Sequence, residues 1–468
     1  MAPDALVGVD VGTTGVKVVA ISRAGEVLAR AEESYPLSSP HPGWSEQDPG
    51  DWVRAAERAL ATVEGSDSLT IGWSGQMHGL VCLGADDAVL RPAILWNDQR
   101  TAAECAEIEE RIGLERLIEL TGNRALTGFT EPKLLWLRRH EPQTFEQIHS
   151  ILLPKDYVRL RLTGEHAIDA ADASGTLLFD VGKRRWSTEV LDALEIPEAW
   201  LPPVSESTEI AGAGDQAAGA LGAGVDRPGL LSVVLGTSGV VFAVLPAYRP
   251  DPEARLQVFC HAVPGTWHAM GVMLSAAGSL RWLHDLLGSA GYDDLLDEAA
   301  AWQPGVEGLL FQPYLAGERT PHADPDARAA LVGLSIRHDR GAMVRAVIEG
   351  VAYGLRDSLE LLRTLGVKAE VGRISGGGAQ SELWRRIVAS VLGIPLERTT
   401  GADEGAAFGA ALLGGVASGA FADASEAVAA CVRVLDRTEP EAAWGTTYEE
   451  GYDRFRQLYP ALRPLEER

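Results

Sequence analysis

The segment VDVGTTGVKVVAI at residues 9–21 returns as VVLGTSGVVFAVL at residues 233–245. A β-branched strand, a Gly-Thr-Thr/Ser-Gly turn and a second strand thus occur twice, which points to a duplicated fold. In each copy the flanking runs have strand composition and the turn glycines tolerate positive φ, so each reads as a hairpin whose turn N–H groups are free. Turn chemistry alone accounts for one such hairpin. Two facing copies point to a polyphosphate gripped from both sides, and so to a nucleotide-dependent enzyme working between two lobes. The usual nucleotide motifs are absent. GTTGVK around Lys17 lacks the Gly-Lys-Ser/Thr that ends a P-loop, and GAGDQA at 212–217 lacks the apolar strand that a dinucleotide fold needs before it.

A chain of 468 residues, 46% hydrophobic and 23% charged, has room for two domains with full cores and is not disordered. Lys and Arg total 41 against 66 Asp and Glu, and the net charge of -25 repels nucleic acid and anionic membrane, so any anionic ligand must be held locally. The N-terminus MAPDALVGVD has no basic region followed by a long apolar stretch, and the longest apolar region, 229–245, is broken by Gly236, Thr237, Ser238 and Gly239. The expectation is a soluble, cytoplasmic protein. Cys82, Cys105, Cys260 and Cys431 are scattered, with neither a CxxC pair nor a dense framework, which argues against structural zinc, disulfides and redox chemistry.

Residues 5–33 read as three strands. Asp48 then caps and Pro49 opens a helix whose Trp52, Ala56, Leu60 and Val63 share a face, and a strand follows at 69–73. More helices fall between 101 and 162. The second half restarts with the hairpin near 230, followed by a helix over about 342–364, a strand at 370–374 and helices at 382–392 and 404–414. The pattern is α/β in both halves. The Pro/Ser-rich stretch LPPVSESTEI, 201–210, marks the junction, giving lobes 1–209 and 210–468.

Asp10 ends the first strand directly before its turn. A carboxylate among phosphate-facing N–H groups is repelled by the phosphate unless a divalent cation lies between them, which implies Mg2+; the alternative is an Asp that caps its own turn. Asp215, in AGAGDQAAGALGAG, stands at a helix start, either as a general base projecting into a cleft or as an N-cap. SGGGAQSELW, 375–384, lies between a strand and a helix; its glycines suit an adenosine seat or a flexible loop. His78 in GQMHGL and Trp96 in ILWNDQR sit in loops after first-lobe strands, where a polyol is hydrogen-bonded and packed, or where each is simply a partly buried structural residue.

Taken together, DVGTTGVK, WSEQDP, GQMHG, ILWNDQR, GFTEPKLLWLRRH, LLPKDY, GDQAAGALG, LGTSG, YLAGERTPH and SGGGAQSELW closely resemble the FGGY carbohydrate kinases, in collinear order over essentially the whole chain. The resemblance implies a two-lobed actin-like ATPase (ribonuclease H-like) fold with duplicated mixed β-sheet domains and a central cleft. It implies ATP and Mg2+ as cofactors and D-xylulose as the sugar, phosphorylated to D-xylulose 5-phosphate in D-xylose catabolism. Asp215 would be the catalytic base for the 5-hydroxyl, and Asp10 would act with it by organising magnesium and phosphate. Met77, His78 and Gln216 would contact the sugar beside Asp215. Thr13, Thr14 and Lys17 in the first hairpin, Gly236 and Thr237 in the second, and Gly377 and Gly378 would hold the nucleotide. A homodimer is an expectation of the family.

Two departures from the family pattern stand out. Between Ile210 and Ala211 the chain passes almost directly from SESTEI to AGAGDQ, where relatives carry a further helix and strand, so a displaced Asp215 is one expectation. Ala342 in RHDRGAMVRAVIEG replaces a polar residue, with an effect expected only on a helix start. The competing functions are another pentulose or polyol kinase of the family, a sugar or nucleotide binder that has lost turnover, and an actin-like assembly or chaperone ATPase.

Overall fold

Five strands make the first sheet: β1 (Ala5–Val11), β2 (Gly15–Ile21), β3 (Val27–Ser34), β4 (Leu69–Gly75) and β5 (Gly212–Gly214), in the order β5-β4-β1-β2-β3. β1, β2 and β3 pair antiparallel, whereas β4 runs parallel to β1 and β5 parallel to β4. The computed structural model describes residues 5–63, 69–288 and 291–466; residues 1–4 of the N-terminal reading lie outside them. Helix α1 (Pro49–Val63) covers this sheet with Trp52, Ala55, Ala56, Ala59, Leu60 and Val63, a stripe at the 3–4 residue spacing that puts side chains on one face. Asp48 Oδ1 accepts from Gly50 N at 2.9 Å, as the expected cap. Three further helices border the site: α2 (Thr130–His140), α3 (Pro154–Thr163) and the single turn α4 (Ala170–Ala173).

The stretch at 201–210 is followed by β5, which adds to the first sheet, and then by helix α5 (Asp215–Gly222). The division at 209/210 thus falls one strand and one helix ahead of the second sheet. That sheet has seven strands: β6 (Leu230–Leu235), β7 (Gly239–Leu245), β8 (Gln257–Cys260), β9 (Trp267–Met273), β10 (Val371–Ser375), β11 (Leu396–Thr399) and β12 (Val434–Thr438). Their order is β8-β9-β7-β6-β10-β11-β12. Within it, β11-β10-β6-β7-β9 repeats β5-β4-β1-β2-β3 strand for strand, with the same parallel and antiparallel pairings. The duplication read from the hairpins is therefore a duplication of the whole sheet.

Helix α6 (Arg340–Thr364) forms the spine of the second core, Trp384 of α7 (Glu382–Leu392) packs with it, and α8 (Ala406–Ala417) follows β11. Asp339 caps α6 by accepting from Ala342 N at 3.0 Å; the bond uses only the amide, so alanine at 342 leaves the helix start intact. Helix α8 lies on the first sheet against β1 and β4, and beside α5. Glycine makes that seat: a Cβ on Gly8 would stand 1.7 Å from Ala407 O, and one on Gly409 1.8 Å from Ala218 O. A helix that follows the second sheet is thus keyed into the first. All four cysteines are free, and no described helix is long and apolar enough to cross a membrane.

Candidate active site

Asp10 on β1 pairs with Lys17 on β2 and with Ser74 on β4, and Ser74 in turn pairs with Ala213 on β5. These registers set a polar row across the sheet, and Asp215 begins α5 two residues past Ala213. Gly214 occupies the N-cap position, so Asp215 is not the cap and projects from the first turn. The three residues of β5 hold Asp215 in line with β4, with Trp73 N donating to Ala211 O at 2.7 Å. Asp10 Oδ1 is buried and has no hydrogen-bond partner among the described residues, while the turn closes through Gly12 N to Gly15 O at 3.0 Å.

Burial lifts Asp10 to about 6, against the pull of Ser74 and Lys17. Burial, and next the Asp10 charge, push Asp215 up to about 7, with Gln216 acting the other way; Gln216 Nε2 lies 3.4 Å from Asp215 Oδ1. Two buried carboxyls, one raised by the charge of the other, are poised to bind a cation and to accept a proton near neutrality.

Met77 and His78 follow β4. The carbonyl of Gly175 lies 2.6 Å from His78 Nδ1, which assigns the proton to Nδ1 and leaves Nε2 as an acceptor. Burial lowers His78 to about 3, so the ring is neutral. Its backbone has φ 68°, a left-handed conformation that Lys133 secures by donating to His78 O at 2.8 Å. The space around the pair is filled: a Cβ on Gly175 would fall 2.7 Å from His78 Nδ1, and one on Gly214 2.9 Å from Met77 Cγ and 3.2 Å from Asp172 Oδ1. Met77, His78, Asp215 and Gln216 are thus brought together.

Under this floor lies a buried cluster. Lys155 Nζ, from the first turn of α3, reaches Asp156 at 2.5 Å, Asp169 at 2.7 Å and Asp172 at 2.9 Å. The three carboxylates have the proximity of a metal site, but the lysine ammonium sits among them and supplies the positive charge. Asp169 also caps α4 through Asp172 N, so the cluster fixes the turn that carries Gly175 to His78.

In the first hairpin, Thr13 Oγ1 accepts from Trp96 Nε1 at 2.9 Å and Thr13 O accepts from Gln47. The amides of Thr13 and Thr14 make no hydrogen bond among the described residues. Lys17 does not turn into the hairpin; its Nζ pairs with Glu404 at 2.9 Å, just ahead of α8. In the second hairpin the amides of Thr237 and Ser238 are likewise without partners, and Thr237 O takes Ala276 N at 2.8 Å. Gly376 abuts this turn so closely that a Cβ would stand 2.6 Å from the Leu235 carbonyl carbon. Gly377 faces open space, whereas Gly378 is turned inward against Leu235 and Trp384.

Residues 5–245 match the N-terminal domain, and residues 231–418 the C-terminal domain, of the FGGY family of carbohydrate kinases. The chain belongs to that family. Among FGGY kinases it is similar to a xylulose kinase of Escherichia coli, 42% identical over 98% of this chain and 99% of the relative. It is also similar to one of Bacillus subtilis, 36% identical over 98% and 97%. A crystal structure of a kinase from Brucella ovis superposes with a TM-score of 0.93 at 40% identity, covering 98% of this chain and 100% of the other. The fold is therefore the actin-like two-lobed ATPase fold that the motifs implied. Three features of this FGGY kinase escaped the sequence reading: the Lys155 cluster, Gly175 and Glu404. LLPKDY carried a signal, since a Lys-Asp pair after an apolar run must find partners once buried.

Proposed function

We propose that this chain is a xylulose kinase that transfers the γ-phosphoryl group of ATP to the 5-hydroxyl of D-xylulose. The observation that carries this is Asp215, whose carboxyl, raised to about 7, stands beside Gln216 and near Met77. Asp215 accepts the hydroxyl proton as the oxygen attacks; positioning and charge neutralisation supply most of the remaining barrier reduction. Met77, His78 and Gln216 orient the sugar, with His78 Nε2 accepting from a hydroxyl. The unpartnered amides of Thr13, Thr14, Thr237 and Ser238 receive phosphate oxygens from both sides. Gly377 leaves room for the adenosine, and Gly378 holds that loop against Leu235.

The unpartnered, buried Oδ1 of Asp10 suits a divalent cation. Magnesium bound there would neutralise phosphate charge. The high identity to xylulose kinases over nearly full length supports the sugar assignment. The test is ADP release from MgATP with D-xylulose, D-ribulose, L-ribulose, glycerol or no sugar. D-Xylulose-dependent release that vanishes in Asp215→Ala is the expected result. Release with another polyol alone would reassign the substrate, and sugar-induced stabilisation without release would make the protein a binder.

A further inference from the structure

Arg319 is a cation without a partner. Its guanidinium makes no hydrogen bond or ion pair among the described residues, although it is partly buried and its surroundings lower its pKa through desolvation. Other buried arginines are matched: Arg345 pairs with Glu349 at 2.7 Å and Arg100 with Asp98 at 2.7 Å. A desolvated charge is costly unless something compensates it, so folds rarely keep one unmatched.

The neighbouring carboxylate offsets only part of the burial cost. Glu318 Oε1 accepts from Leu274 N at 2.9 Å and from the backbone N of Arg319 at 2.8 Å, and burial pushes this carboxyl up to about 8, so it is neutral at pH 7. The backbone around Arg319 is fixed on both sides. Thr320 N donates to Val272 O at 3.0 Å, Thr320 Oγ1 donates to Arg255 O at 2.9 Å, and Glu318 N donates to Asp324 O at 2.8 Å. The segment is thereby bound to β9, in the second sheet.

Across the cleft stands the first-lobe pair. The His78 ring lies 6.0 Å from Phe259 of β8, and β8 pairs with β9, the strand whose Val272 O accepts from Thr320 N beside Arg319; the Arg319 charge accordingly opposes protonation of His78. An acceptor at His78 Nε2 and a fork of donors at Arg319 together match a hydroxyl next to a carbonyl.

We propose that Arg319 is a sugar-binding residue contributed by the second lobe, its guanidinium donating to the ketose oxygens at the end held by His78. This rests on the ketose-kinase reading. Because His78 and Arg319 come from different lobes, the sugar bridges the cleft and favours its closure.

The test uses full-length wild type, Arg319→Met and Arg319→Lys, measuring KM and kcat for D-xylulose, KM for ATP, and the melting temperature with and without D-xylulose. Losing a charge-assisted bond predicts a sugar KM raised about 10- to 100-fold in Arg319→Met, with kcat changed much less. The ATP KM should stay within about threefold, the sugar-induced melting shift should vanish, and the sugar-free melting temperature should hold or rise, because an unpaired charge is removed. Arg319→Lys should fall between. An unchanged sugar KM and melting shift in either variant, or a loss confined to the ATP KM, overturns the proposal. Wild type that is stabilised by D-xylulose yet releases no ADP overturns the kinase reading and leaves Arg319 judged by the same shift. Wild type with neither response overturns both.

Discussion

Asp10 raises Asp215: after burial, the Asp10 charge is the largest cause of the Asp215 carboxyl rising to about 7. Asp215 acts as base only when ionised, so kcat/KM should fall tenfold per pH unit below about 7, the limb moving lower to the extent that a cation at Asp10 offsets its charge. The same shift fixes a stability trend. A native pKa above the unfolded value means that the native state holds more protons between about 4 and 7, so this group's contribution is complete below pH 4 and is lost as pH rises to 7. Asp215→Asn cannot ionise. It should therefore be inactive yet more stable than wild type at pH 7.5, by on the order of 1 kcal/mol, with the difference gone at pH 4. Chemical denaturation at the two pH values reads this out, and an inactive variant destabilised at pH 7.5 would contradict it.

Lys155 balances three carboxylates from within the first lobe, with its side chain 1% exposed. Removing one partner from a buried ion cluster leaves uncompensated charge, at a cost of about 3–5 kcal/mol. Lys155→Met should lose that much stability near pH 7. Part of the loss should return at pH 5, because burial already holds Asp156 at about 6 and Asp172 well above the usual carboxylate range, and protonation relieves the repulsion. Urea unfolding at pH 5 and pH 7.5 separates this from an ordinary packing defect, which would cost the same at both.

The hairpins, the parallel strands and α1 were legible because their signals are local: β-branched runs, Gly-Thr turns and a 3–4 residue apolar stripe each declare themselves within a dozen residues. Asp10 and Asp215 were legible as candidates, but the effect of Asp10 on Asp215 depends on a register spanning β1, β4 and β5. The shortened junction before Asp215 read as a missing support. In the sheet, Gly212–Gly214 is long enough to pair with Trp73, Ser74 and Gly75, and Asp169 and Asp172 buttress it from beneath. Lys17 was read as part of the hairpin, since sequence places it four residues past Thr13; the ladder instead directs its side chain to Glu404, nearly four hundred residues away.

That last contact carries its own consequence. Glu404, with its side chain 6% exposed, lies 2.9 Å from Lys17 Nζ and 2.7 Å from Arg30 Nη2, tying β2 and β3 to the loop that leads into α8. The family resemblance implies that Lys17 meets nucleotide phosphate, and Lys17 must leave or share Glu404 to do so. The two anions compete for one ammonium. In Glu404→Gln the competition ends, so the ATP KM should fall about threefold while the D-xylulose KM stays put. Because Lys17 and Arg30 retain access to water, stability should drop by only about 1 kcal/mol. Steady-state kinetics at two ionic strengths provide the check: the wild-type ATP KM responds both to weakened phosphate attraction and to weakened competition, whereas the variant responds to the first alone and should show the steeper rise with salt. A higher ATP KM in Glu404→Gln would mean that Glu404 orients Lys17 for the nucleotide instead of holding it back.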